Sequence, residues 1–142
     1  LVTEDGENHI LLVPGANEGL TPRDVRRARE VIRAADVVVC QLEVPIETTA
    51  EALRLARKAK VTTILNPAPA QALPAELLRL VDILVPNEIE LRQLAQRACE
   101  TDEAMERAAQ RLFDSTCASV LVTLGECGIL AVGATGTWRE KA

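Results

Sequence analysis

Four stretches of the chain place polar residues directly after apolar runs: Gln41-Leu42-Glu43, Asn66-Pro67-Ala68-Pro69-Ala70, Pro86-Asn87-Glu88-Ile89-Glu90 and Thr123-Leu124-Gly125-Glu126-Cys127-Gly128. In an alternating α/β sequence such residues gather at one edge of the sheet, where open parallel sheets bind ligands. Glu43 could accept hydrogen bonds from a polyhydroxylated ligand, or stand as a solvated loop acid before Pro45. Asn66, followed by two prolines among small residues, could orient a ligand or only hydrogen-bond to its local turn. Asn87 and Glu90 have the Asn-x-x-Glu spacing of a helix capping box. With Glu88 the same turn also offers two carboxylates suited to a water-bound Mg²⁺, which uses few protein carboxylates beside phosphate oxygens. Thr123, Gly125 and Gly128 form a turn whose glycines let backbone N–H groups approach an anion, or simply a Gly-rich hairpin. Neither a Walker A sequence nor GxGxxG is present.

The elements that must position these residues follow from hydrophobic patterning. Leu1 to Val13 reads as a β-hairpin turning at Glu4-Asp5-Gly6-Glu7. After the 14–19 loop, Thr21, Pro22 and Asp24 signal a helix start, with Val25, Ala28, Ile32 and Ala35 on one face. The β-branched run Val37 to Leu42 predicts a central parallel strand covered on both sides. A helix from Thr48 to Ala59, a strand Val61 to Leu65, a helical turn Pro74 to Leu80 and a strand Ile83 to Val85 continue the alternation. Helices Glu88 to Gln96 and Asp102 to Ser115 lead to the strand Ser119 to Thr123, too close to Ile129 to Val132 for anything but an antiparallel hairpin. The predicted fold is α/β: a three-layer α/β/α, doubly wound, mostly parallel sheet with helices on both faces, an N-terminal hairpin and a C-terminal antiparallel hairpin. Residues 135–142 show no closing element, which leaves Trp138 at a frayed end.

Composition narrows the function. The 142 residues suffice for one domain, and 48% apolar with 26% charged residues predicts a packed core. A formal net charge of −5 with scattered basic residues opposes nucleic-acid binding, and Phe113 and Trp138 are the only aromatics. No segment reads as a membrane span or secretory leader, which predicts a cytoplasmic protein. The four cysteines contain no CxxC pair, so reduced thiols are expected, with Cys40 in the core. A chain that opens with Leu inside a strand reads as an excerpt of a longer one.

Taken in order, Gly15-Ala16-Asn17 and the four stretches above resemble the ribokinase family of sugar kinases over almost the whole chain. The resemblance implies an ATP- and Mg²⁺-dependent kinase that converts D-ribose to ribose 5-phosphate, and leaves a monovalent cation as an open addition. It implies that Glu43 contacts sugar hydroxyls, that Asn87 and Glu90 organise phosphates and, through water, Mg²⁺, and that Thr123, Gly125 and Gly128 contact nucleotide. Asn66 matches a position beside the phosphates. Residues 1–13 would be part of a β-lid, through which such enzymes often form a homodimer, and 14–142 the central α/β portion. The family's upstream sugar-binding segment and its downstream Gly-Ala-Gly-Asp, which supplies the anion hole and catalytic base, are not among these residues, so the isolated chain is expected to be inactive. Another sugar or nucleoside kinase of that superfamily, or a non-catalytic nucleotide- or partner-binding module, are the alternatives.

Overall fold

A computed structural model describes residues 13–97, 99–116 and 119–142. The predicted lid hairpin therefore lies, but for Val13, outside the described residues. A 3-10 turn, Gly15–Gly19, leads to α1 (Pro22–Arg27), α2 (Arg29–Ala34), β1 (Val37–Cys40), α3 (Ile46–Lys58), β2 (Thr62–Leu65) and α4 (Ala75–Leu78). Then come β3 (Ile83–Leu84), α5 (Glu88–Ala95), α6 (Asp102–Thr116), β4 (Ser119–Thr123), β5 (Ile129–Gly133) and β6 (Gly136–Glu140).

Local chemistry explains the boundaries. The Thr21–Asp24 capping box and Pro22 start α1 as expected. The single helix predicted beyond it is interrupted at Ala28, whose ψ of 8° leaves the helical region. α3 stops in a Schellman arrangement: Val61 N–H donates to the Ala56 carbonyl at 3.0 Å and Lys60 N–H to the Arg57 carbonyl at 3.1 Å. This puts Lys60 at φ 61°, a left-handed conformation more usual for Gly.

The sheet order is β1-β2-β3-β4-β5-β6, parallel from β1 to β4 and antiparallel at β4–β5 and β5–β6. Each parallel crossover advances one place in the same direction. Crossovers of one hand that never reverse direction leave their helices on one face, and burial follows that rule. Leu65, Leu84, Val120, Val122, Leu130 and Val132 share the helix-covered face and are at most 1% exposed. Burying each contributes about 1.5–3 kcal/mol. α3 adds Leu53 and Ala56, and α6 adds Met105, Ala108, Ala109 and Leu112, at the three-to-four-residue spacing of a core-facing stripe. On the opposite face Val39 is 65% exposed and Ile64, Ile83 and Leu121 are half-buried.

Two expectations change accordingly. Among the described residues β1 stands at the end of the sheet with β2 as its neighbour, where the sequence predicts a central strand. The tail is not frayed: 136–140 form β6, with Trp138 opposite Ala131, because Gly133 and Gly136 close a second tight hairpin.

β3 has only two residues, yet it is held at both ends. Before it, Asp82 accepts hydrogen bonds from the Thr63 N–H and hydroxyl, both at 2.9 Å, and pairs with Arg57 of α3. Beyond it, Val85 N–H donates to the Leu65 carbonyl at 2.8 Å and Thr123 N–H to the Pro86 carbonyl at 2.9 Å. This clamp carries strand order into the loops that follow.

Candidate active site

Because β1 to β4 run parallel and adjacent, their carboxyl ends lie on one edge in chain order. Glu43 follows β1, Asn66 follows β2, Asn87 and Glu90 follow β3, and Thr123 ends β4. At about 4.8 Å per strand the row spans roughly 14 Å from the β1 end to the β4 end. Backbone bonds extend the sheet into the loops: Asn66 N–H donates to the Cys40 carbonyl at 2.9 Å, and Leu42 N–H to the Ala68 carbonyl at 2.8 Å. Asn87 and Thr123 form a parallel bridge. The structure thus joins Asn87 and Glu90 to the glycine turn, and leaves Glu43 apart at the other end.

Glu43 is exposed and lines a cleft of about 650 Å³, walled by Leu42, Val44, Pro45 and Pro69 on its own side and by Asn17 and Glu18 of the 3-10 turn on the other. Glu18 carries no signal in the sequence, since it sits in a polar loop whose neighbour across the cleft lies in a different βα unit. It is a lining residue that only the tertiary structure reveals.

Asn66 is half-buried, and its Oδ1 is buried without a hydrogen-bond partner. A carbonyl oxygen left so costs about 1–3 kcal/mol unless a donor arrives. This disfavours the purely local role, in which Oδ1 would bond its own turn.

Asn87 and Glu90 form a complete capping box. Glu90 N–H donates to Asn87 Oδ1 at 2.9 Å, Asn87 N–H to Glu90 Oε2 at 2.8 Å, and Asn87 Nδ2 to Glu90 Oε1 at 3.0 Å. Glu90 is 5% exposed, an acid held inside the sheet edge by its own cap, whereas Asn87 is exposed. The structural reading of the pair is satisfied, and each Glu90 oxygen keeps a second lone pair for a water.

The glycines of the last turn differ from each other. Gly125 is at φ +54° with open space where a side chain would start. Gly128 is at φ +90° and buried against the chain end, where a Cβ would collide with the Glu140 carbonyl and Lys141 backbone. The Cys127 and Gly128 N–H groups close the turn on Leu124 and Gly125. Gly128 therefore has a packing reason to be glycine that Gly125 lacks.

Among the described residues no three His, Cys, Asp or Glu side chains converge on one point. A cation at this edge would be held chiefly by water and ligand phosphates, and the oxygens that could accept from its water shell are those of Glu90 and Asn66 Oδ1.

Open parallel α/β sheets that bind ligands do so along this carboxyl edge. The chain belongs to the pfkB family of carbohydrate kinases, whose family model matches residues 1–142. It is 45% identical over 127 residues to the ribokinase of Staphylococcus aureus (strain COL), covering 89% of this chain and 42% of that protein. It is 37% identical over 130 residues to the deoxyribokinase of Salmonella typhi, covering 91% and 42%. The structure of Arabidopsis thaliana ribokinase complexed with ribose and ATP superposes with a TM-score of 0.87 at 30% identity, over 99% of this chain and 46% of that one. The fold is thus the ribokinase fold, and the chain spans less than half the length of these relatives. Among the described residues no helix is long and apolar enough to cross a membrane.

Proposed function

We propose that these residues are the central portion of a cytoplasmic enzyme that transfers the γ-phosphoryl group of ATP to the terminal hydroxyl of D-ribose. The observation that carries this reading is the order of groups along the sheet edge: a sugar-type carboxylate at β1, an unpartnered amide at β2, a buried acid at β3 and an open glycine turn at β4. A sugar at one end, phosphates in the middle and a nucleotide at the other would meet these groups in turn.

Glu43 accepts hydrogen bonds from sugar hydroxyls. Asn66 Oδ1 takes a donor from the sugar or from cation-bound water near the transferring phosphate. Asn87 and Glu90 hold the β3 loop rigid, so that Glu90 can order water beside the phosphates. Thr123 and the 125–128 turn contact the nucleotide. Mg²⁺, when bound, supplies neutralisation of charge on the phosphates. In the transfer the ribose oxygen bonds phosphorus, the bond to the β-phosphate oxygen breaks, and ADP leaves. The hydroxyl proton goes to the aspartate of a Gly-Ala-Gly-Asp segment that is not among these 142 residues. The lid would come from residues 1–13, with homodimer contacts made there.

Coupled detection of ADP tests this. The full-length enzyme turns over ribose with Mg·ATP, and a polypeptide of these 142 residues alone does not. Absence of ribose-dependent turnover in the full-length enzyme sinks the substrate assignment, and turnover by the 142 residues sinks the need for the further segment. The similarity to a deoxyribokinase motivates 2-deoxyribose as the competing acceptor. A larger kcat/KM for it than for ribose would reassign the sugar.

A further inference from the structure

We infer that Gly128 is a positioning residue of the nucleotide turn: it locks the turn against the end of β6 without touching the nucleotide, and leaves the contact to Gly125 and Glu126. This rests on the kinase reading above and divides the 125–128 turn into a supporting half and a binding half.

Every part of Gly128 that could meet a ligand is taken by the protein. Its N–H donates to the Gly125 carbonyl at 3.1 Å, and its carbonyl accepts from the Leu124 N–H at 2.9 Å. The residue is buried, whereas Gly125, Glu126 and Cys127 are exposed. Where another residue would carry its Cβ lies the Glu140 carbonyl, with Lys141 Cα and the Ala142 nitrogen each 2.8 Å from that position. Two backbones that approach so closely need a residue without a side chain, and the φ of +90° favours glycine as well. An anion would need the N–H that the Gly125 carbonyl already holds.

The backbone that crosses Gly128 is itself fixed. Ile129 pairs with Glu140 and Leu130 with Arg139 in the β5–β6 ladder. Arg139 Nη1 donates to Asp102 Oδ2 at 2.7 Å and Nη2 to the Asp102 carbonyl at 3.1 Å, which ties the strand end to the start of α6. At its other end the turn begins at Thr123, whose bond to the Pro86 carbonyl and bridge to Asn87 join it to the β3 loop. A Cβ at position 128 cannot push β6 aside without breaking that ladder. It displaces the turn instead, through the two bonds to Leu124 and Gly125.

The test uses the full-length enzyme. A crystal structure of wild type with Mg²⁺ and AMP-PNP, a non-hydrolysed ATP analogue, is expected to place no Gly128 atom within about 4 Å of the nucleotide and a Gly125 or Glu126 N–H within about 3.2 Å of one of its acceptors. Steady-state kinetics then compare wild type, Gly128→Ala and Gly136→Ala at a temperature where circular dichroism shows all three folded. Gly128→Ala raises the ATP KM at least about fivefold with the ribose KM held within about twofold. Gly136→Ala sets a Cβ at φ +113° at the far end of the same hairpin, where it meets no described atom, and leaves both constants within about twofold. A Gly128 atom in contact with AMP-PNP, or a folded Gly128→Ala enzyme with the wild-type ATP KM, overturns the positioning role and leaves the kinase reading standing. If Gly128→Ala does not fold, the wild-type complex alone decides. AMP-PNP bound away from the 125–128 turn overturns both this role and the nucleotide assignment of the turn.

Discussion

Replacing Glu90 by Gln separates a helix cap from a catalytic support, because the two roles predict losses of different size. Each carboxylate oxygen accepts from Asn87, one from the backbone N–H at 2.8 Å and one from Nδ2 at 3.0 Å. A glutamine keeps one acceptor for the backbone N–H and turns its amide NH₂ toward Asn87 Nδ2, so that two donors face each other. One bond falls from charge-assisted to neutral and one is lost, about 2 kcal/mol in all. For an enzyme of the relatives' size this lowers Tm by about 3 °C. If Glu90 also orders water beside the phosphates, kcat/KM falls about 100-fold or more at temperatures where the variant is fully folded, and the Mg²⁺ concentration for half-maximal rate rises. Calorimetry and an ADP-coupled assay under Mg²⁺ titration measure the two effects on one preparation. The reasoning fails if Tm drops as stated while kcat/KM stays within about threefold and the Mg²⁺ dependence is unmoved; Glu90 would then be a cap and nothing more.

Other substitutions test the frame around the site. Gly128→Ala drives a Cβ into the Glu140 carbonyl from a φ of +90°, and is expected to cost about 2–4 kcal/mol by urea unfolding, whereas the same change at Gly125, where the space is open, pays only the backbone strain of about 1–2 kcal/mol. Lys60→Gly relieves the left-handed residue that ends α3 and raises the urea midpoint by the equivalent of about 0.5–1 kcal/mol; a lowered midpoint would show that the lysine side chain packs usefully. Burial pushes the Cys40 thiol above its ordinary value of 9.0, so the fold favours its neutral form. That contribution is whole below the ordinary value and is lost as pH rises toward the folded one. Unfolding midpoints measured from about pH 8 to about pH 10.5 should therefore fall more steeply in wild type than in Cys40→Ala.

Much of this architecture is legible before folding, because it depends on neighbours in the chain. The Asn-x-x-Glu spacing of residues 87–90 makes a capping box in any helix that starts there, and Thr21-Pro22 starts α1 for equally local reasons. Apolar runs at 37–40, 62–65, 83–84 and 119–123 became parallel neighbours, and residues placed just past them arrived at one edge because parallel strands share a carboxyl end. Residues 129–133, too close to β4 for a crossover, paired with it antiparallel.

What depends on pairs distant in sequence was decided only by the tertiary structure. Whether β1 is central or at an edge turns on what lies beyond it, which the run Val37-Val38-Val39 cannot say, since a β-branched strand reads alike in both places. Alternation of strands and helices predicts crossovers but not the direction in which each one adds its strand, which the order β1-β2-β3-β4 supplies. The tail looked unpaired because the partner of Trp138 is Ala131, across a turn whose register no single strand reveals. Glu18 faces the same cleft as Glu43 because Thr48 and Thr49 hold two loops on one helix turn, a juxtaposition of residues 25 or more positions apart with no spacing rule behind it. Local hydrogen bonding wrote the caps and turns into the sequence, while the meeting of two acids across a cleft came from packing.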